Sequence, residues 1–263
     1  MAKEIQLASG RLIRLSNYPP KRIISLVPSL TETLFDLGLE EEVVGITRFC
    51  IHPRHWHQRK KRIGGTKDFR LADIKALQPD LIIANKEENT REGIEALAKD
   101  FPVWVSDIST IQEAIESIHT LGQLCGLEAK AMALASEISA SWAQLPRFPL
   151  PLKSLYFIWK SPWMVAGKGT YIDAVLQQLG LENGCTESRY PVIDIDAFRG
   201  QTPDLLLFSS EPFPFKAPHW EEWQERFPKA QCMVVDGEAF SWYGSRMKAS
   251  IVTLKTFVNQ HRS

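Results

Sequence analysis

One pattern of strand, helix and strand occurs twice in this chain, in the same order. In the first half, Ile23-Ile24-Ser25-Leu26-Val27 leads into a helical run from Ser29 that closes on Leu37-Gly38-Leu39-Glu40. In the second half, Leu155-Tyr156-Phe157-Ile158-Trp159 precedes a helical run from Tyr171 that closes on Leu179-Gly180-Leu181-Glu182. Leu77-Gln78-Pro79-Asp80-Leu81-Ile82-Ile83-Ala84 is then answered by Gln201-Thr202-Pro203-Asp204-Leu205-Leu206-Leu207-Phe208. Val103-Trp104-Val105-Ser106-Asp107 is answered by Met233-Val234-Val235-Asp236-Gly237. Strands that alternate with helices call for parallel sheets. Fully apolar runs such as Leu81–Ala84 suit strands buried on both faces.

The expected fold is therefore α/β, with two Rossmann-like lobes of parallel sheet joined by a single long helix and a ligand cleft between the lobes at the strand ends. The expected boundaries are 1–109 for the first lobe, 110–151 for a helical linker and 152–263 for the second lobe. An N-terminal hairpin turning at Ser9-Gly10 precedes the first lobe. Ser29 and Glu32 have capping-box spacing, and Gly38 is a helix stop. Ile111, Ala114, Ile115, Ile118, Leu121 and Leu124 keep a 3.6-residue period, with a break expected near Gly126. A last helix over 246–260 carries Ile251, Leu254 and Val258 on one face.

Lys+Arg and Asp+Glu are both 31, for zero net charge, which speaks against a nucleic-acid partner. The N-terminus has no apolar signal region, so the expected location is the cytoplasm, or the periplasm if a signal has been removed. The four cysteines are scattered without a Cys-x-x-Cys pair, as free thiols of a reducing compartment would be. A monomer is expected.

Candidate site residues follow strand ends. Cys50 and His52 lie past the second strand in a segment with three His and one Cys, which suits a metal or the metal centre of a cofactor; the alternatives are a plain surface loop and, for His52, a plain hydrogen-bonding residue of the cleft. Thr66 follows Gly64-Gly65, a weak likeness to a phosphate loop. Lys86, Glu87 and Glu88 follow the next strand, either to fix a ligand's polar edge or to cap a helix. Trp159, Trp163, Phe213, Trp242 and Tyr243 follow three strands of the second half and would form a flat apolar wall for a planar macrocycle, unless each packs on its own loop. Glu211 sits in the same loops. Arg189, Tyr190 and Arg246 would contact ligand carboxylate or phosphate, or Arg246 would form a structural ion pair. No Gly-x-Ser-x-Gly or His-Glu-x-x-His occurs, and no enzymatic activity is expected.

Several of these segments together carry a family resemblance: Arg22 to Glu32, Ile63-Gly64-Gly65-Thr66, Leu77 to Ala84, Asp173-Ala174-Val175-Leu176, Thr202-Pro203-Asp204, and Ser241-Trp242-Tyr243-Gly244-Ser245-Arg246. Over about 21–260 the chain resembles the helical-backbone (class III) periplasmic-binding-protein family, whose members serve importers of cobalamin, haem and iron–siderophore complexes, and it looks nearest to the cobalamin receptors. The resemblance implies a substrate-binding protein of the ABC-importer type that takes a small-molecule ligand. A corrinoid is the first choice, with haem or a ferric chelate as alternatives, and none is a required cofactor. Exported members offer an acidic residue on each lobe to the transporter. Those positions fall near Ala72-Asp73 and Asp196, and the poor match at the first speaks against docking on an importer. The alternatives are a chelatase-like enzyme acting on a tetrapyrrole, with His52 and Glu87 or Glu88, and a protein that binds free metal through Cys50 and His52.

Overall fold

Alternation at the N-terminus builds a two-stranded hairpin, β1 (Lys3–Gln6) and β2 (Leu12–Leu15), which turns Ile5, Ile13 and Leu15 inward. The structure is a computed structural model that describes residues 1–7, 10–198 and 202–261. Ser9 of the expected turn and Gln201 of the second repeat lie outside the described residues. The chain divides into two compact units. The first comprises Met1–Asp107, Gln112–Ser139 and Tyr243–Arg246, and the second Ile108–Ile111, Ala140–Trp242 and Met247–Ser263. Most of the expected linker thus packs with the first unit, and so does a four-residue segment from near the C-terminus.

After the hairpin, the first unit continues with β3 (Ile23–Ser25), α1 (Pro28–Asp36), β4 (Val43–Ile46), α2 (Arg54–Arg59), β5 (Lys61–Arg62), α3 (Leu71–Ala76), β6 (Leu81–Asn85), α4 (Arg91–Ala98) and β7 (Val103–Ser106). Its sheet has the order β5-β4-β3-β6-β7, all parallel. Helices α5 (Ile111–Cys125) and α6 (Glu128–Ala143) follow, separated at Gly126. The second unit has β8 (Lys153–Trp159), β9 (Met164–Val165), α7 (Tyr171–Gln178), β10 (Glu182–Asn183), β11 (Leu205–Ser209), α8 (Glu221–Arg226), β12 (Gln231–Val235), α9 (Gly237–Ser241) and α10 (Arg246–His261), whose first residue belongs to the first unit. Its sheet runs β10-β8-β11-β12 in parallel, with β9 antiparallel on β8.

The repeat in sequence is a repeat in topology, because β4-β3-β6-β7 and β10-β8-β11-β12 have the same order. The recurring Pro-Asp explains part of it. The Asp80 carboxylate accepts the backbone N–H groups of Lys21 and Arg22, each at 2.8 Å, and so ties the entry of β3 to that of β6. Asp204 does the same for β8 and β11 by accepting from the Lys153 N–H at 2.8 Å. The recurring Leu-Gly-Leu ends α1 and α7 alike. Gly38 and Gly180 take φ of +86° and +82°. Leu39 N–H donates to Leu34 O and Leu181 N–H to Leu176 O, the six-to-one bond of a Schellman cap.

The capping box at Ser29 and Glu32 is not formed. Pro28 occupies the first turn of α1, Val27 is the N-cap, and no side chain caps the helix. Proline's preset φ and missing N–H suit that position, which places Ser29 inside the helix. Aliphatic side chains such as Ile24, Leu26, Ile63, Ile82 and Leu97 make the core of the first sheet. The second is aromatic, with Phe157, Phe208, Phe215 and Trp223 at its centre.

Candidate functional site

Parallel strands bring their carboxyl ends to one edge of a sheet, and the loops that leave that edge are where α/β folds present ligand contacts. In the first unit these loops follow β3, β4, β6 and β7. Asn85, the last residue of β6, organises one of them. Its side-chain oxygen accepts the N–H groups of Glu87 and Glu88 at 2.8 and 3.2 Å, and its amide donates to Ser106 at the end of β7. This turn holds Glu87 and Glu88 half-buried, while exposed Lys86 pairs with Asp107 at 2.6 Å. Asn89 donates to the carbonyls of Leu26 and Thr66, which sets the half-buried Thr66 beside the same edge. The Gly64-Gly65 turn is filled by Asp68, since a Cβ on Gly65 would overlap its carboxylate. It is a closed turn, not a phosphate cradle.

Cys50 is a correction. The thiol is fully buried, with the Thr31 and Thr47 hydroxyls each 3.1 Å from its sulfur. Burial pushes its pKa up to about 11, against the hydrogen bonds of the two threonines. A protonated interior thiol is a poor metal ligand. Among the described residues no three His, Cys, Asp or Glu side chains converge on a metal position. His52 is half-buried and near the Glu32 carboxylate.

Tyr243 is also placed otherwise than expected, because its segment packs on α1, and Arg246 takes the alternative of a structural ion pair at the start of α10. Arg246 Nε donates to Glu32 Oε2 at 2.7 Å, with the two side chains only 16 % and 18 % exposed. Burial raises the Glu32 pKa, against the guanidinium that lowers it. The Tyr243 phenol is buried next to the Ser29 and Ser106 hydroxyls, and burial raises its pKa well above the ordinary range. Both residues therefore serve the interior of the first unit.

In the second unit the expected aromatic residues sit at different depths. Trp159, the last residue of β8, is 41 % exposed and meets the half-buried Phe213 ring edge-on at 5.6 Å. Trp163 reaches them through Phe215, which it stacks on and whose ring lies 4.6 Å from that of Phe213. It packs on Phe157, Phe208, Phe215 and Trp223, and its indole N–H reaches Glu222 at 2.7 Å. Contact with several rings at once removes much of its apolar surface from water. Trp242 is buried and donates to Glu211 at 2.6 Å. Burial raises the Glu211 pKa, the Trp242 bond opposes this, and Glu238 and Asp236 add to the rise. Arg189 lies half-buried in a segment paired with Gly167 and Lys168, and its guanidinium donates to the Gly169 carbonyl at 3.2 Å. Tyr190 is half-buried beside it.

The doubled strand order and its strand-end loops agree with what comparison finds, since residues 23–227 match the periplasmic binding protein family. The chain belongs to that family. Among curated relatives, a vitamin B12-binding protein of Vibrio parahaemolyticus is 25 % identical over 223 residues, which cover 82 % of this chain and 80 % of that one. Two solved structures share the fold. The periplasmic vitamin B12-binding protein of Vibrio cholerae superposes with a TM-score of 0.75 at 20 % identity, covering 92 % of this chain and 98 % of that one. A periplasmic haem-binding protein of Pseudomonas aeruginosa gives 0.74 at 20 % identity, covering 93 % and 94 %.

Sequence reasoning missed Asn85 and the bracing role of Asn89, which together hold the strand-end turn of this family member. Their signal is the spacing of two asparagines four apart around an acidic pair at a strand end. It also missed Phe49 and Ile51, 48 % and 42 % exposed just past β4, where exposed apolar side chains at a strand end suit an apolar ligand.

Proposed function

We propose that this protein is a substrate-binding protein of the ABC-importer type and that its ligand is a metal-containing macrocycle or chelate, a corrinoid before haem or a ferric siderophore. The observation that carries the reading is the similarity to a vitamin B12-binding protein along 82 % of the chain. The strand-end residues support it. Trp159 and Phe213 offer an apolar edge suited to a large ring, as do Phe49 and Ile51. Lys86, Glu87, Glu88 and His52 offer polar groups suited to amide and phosphate substituents.

The test is an absorption spectrum of the purified protein after a slight excess of hydroxocobalamin and desalting. Retained corrinoid bands near one per chain are expected. A ligand at 100 times its dissociation constant adds about 2.7 kcal/mol of stability, so a rise in the melting temperature should accompany them. A colourless protein that haem or a ferric chelate protects would replace the corrinoid with that ligand. Protection by none of the three would overturn the reading.

A further inference from the structure

The segment Arg54 to Arg62 has five Lys or Arg, two His and no acid in nine residues, in a chain whose net charge is zero. It forms α2 and then β5, the edge strand of the first unit's sheet. Trp56 pins the stretch down. It is fully buried, with the Phe35 ring edge-on to it at 5.4 Å. The charges therefore sit on a fixed element. Lys60 is engaged with the Glu40 carbonyl, and His55 lies 3.4 Å from the Glu40 carboxylate. Arg54, Arg59, Lys61 and Arg62 are exposed, and their side chains make no ion pair among the described residues. Asp68 and Asp73, which follow in sequence, are held by Arg48 and Arg70.

Two unneutralised cations on α2 and two on the edge strand β5, within nine residues, make an anion-attracting surface. The occupant is decided by what else the patch offers. A second β-strand is disfavoured, because β5 is two residues long and both are cationic, which deters edge pairing. Single-stranded nucleic acid needs exposed aromatics on which bases stack, and the one aromatic of the stretch is buried. We infer that Arg54, Arg59, Lys61 and Arg62 form a docking surface for an anionic phospholipid bilayer. Each cation near such a surface strengthens partitioning roughly fivefold, so four give a gain on the order of several hundredfold. Among the described residues no helix is long and apolar enough to cross a membrane, so the contact is peripheral and reversible by salt.

Vesicle flotation tests this with the full chain, comparing phosphatidylcholine vesicles with equimolar phosphatidylcholine and phosphatidylglycerol. Binding to the anionic vesicles alone is expected, with loss at about 0.5 M salt, where screening is near complete over a few ångströms. The combined variant R54Q/R59Q/K61Q/R62Q should lose that binding at least a hundredfold while keeping its melting temperature. The variant R54K/R59K/R62K should retain it, since a bilayer reads charge more than guanidinium geometry. No preference for anionic vesicles, or full binding by the quadruple variant, would overturn the inference. Binding of a single-stranded oligonucleotide through the same four residues without vesicle binding would overturn it in favour of nucleic acid.

Discussion

Gly244 allows a quantitative test of how the Tyr243–Arg246 segment is held in the first unit. Its φ is +77°, and a Cβ built on it would overlap Thr33 Oγ1. That hydroxyl is already committed: it donates to the Ser29 carbonyl and accepts the Ser245 N–H, both at 3.0 Å. Gly244→Ala therefore carries two costs. An alanine in the left-handed region costs about 1–2 kcal/mol. Inserting a methyl group into a packed contact costs about 1–3 kcal/mol more. The sum is about 2–5 kcal/mol, which would lower a urea midpoint by about 1–2.5 M at a slope near 2 kcal/mol/M. The assay is urea unfolding followed by both fluorescence and circular dichroism, because two units need not unfold in one step. Repeating the change in a Thr33→Ala background separates the two costs. With Oγ1 gone the overlap disappears, and the glycine change should cost only the backbone's about 1–2 kcal/mol. Equal costs in both backgrounds would refute the steric contact, and a neutral Gly244→Ala would refute the placement of the segment.

Other expectations concern different parts of the molecule. Asp80→Ala should destabilise more than Asp204→Ala in thermal melts, since Asp80 accepts two backbone N–H groups and Asp204 one, each charge-assisted bond contributing about 1.5–3 kcal/mol; the reverse order would contradict the strand-entry role. Cys50 should resist iodoacetamide in the native state at neutral pH and react in urea, read by mass spectrometry, because its pKa is pushed up to about 11 by burial and only the thiolate reacts. Linkage gives the matching pH dependence. The native pKa lies above the ordinary 9.0, so this contribution is complete below pH 9.0 and is lost as pH rises toward 11. Unfolding midpoints should fall across that window and fall less in Cys50→Ala, and an unchanged slope would count against the buried thiol. Trp159→Ala should leave the melting temperature nearly unchanged, because the ring is 41 % exposed, yet weaken hydroxocobalamin binding by roughly tenfold, as loss of about 1.5 kcal/mol of aromatic contact would; titration calorimetry showing unchanged affinity would remove Trp159 from the site.

What the amino-acid order determined by itself is the local and repeated part of this protein. Apolar runs placed β3, β6, β8 and β11. The Pro-Asp and Leu-Gly-Leu repeats announced two copies of one topology, because an aspartate at a strand entry and a glycine at a helix end act on backbone groups close by in the fold or chain. The break at Gly126 was legible for the same reason. The fate of loop side chains was not. Cys50 lies one residue from an exposed isoleucine and two from a half-buried histidine, yet Thr31 and Thr47 close over it. Trp159 and Trp163 are four residues apart, and only the second is drawn into the Phe208 and Trp223 cluster. Arg246 meets Glu32 across 214 residues of chain. Periodicity reports which face of an element is apolar, whereas the burial of a loop residue depends on which distant group covers it, and that is settled only when the chain is packed.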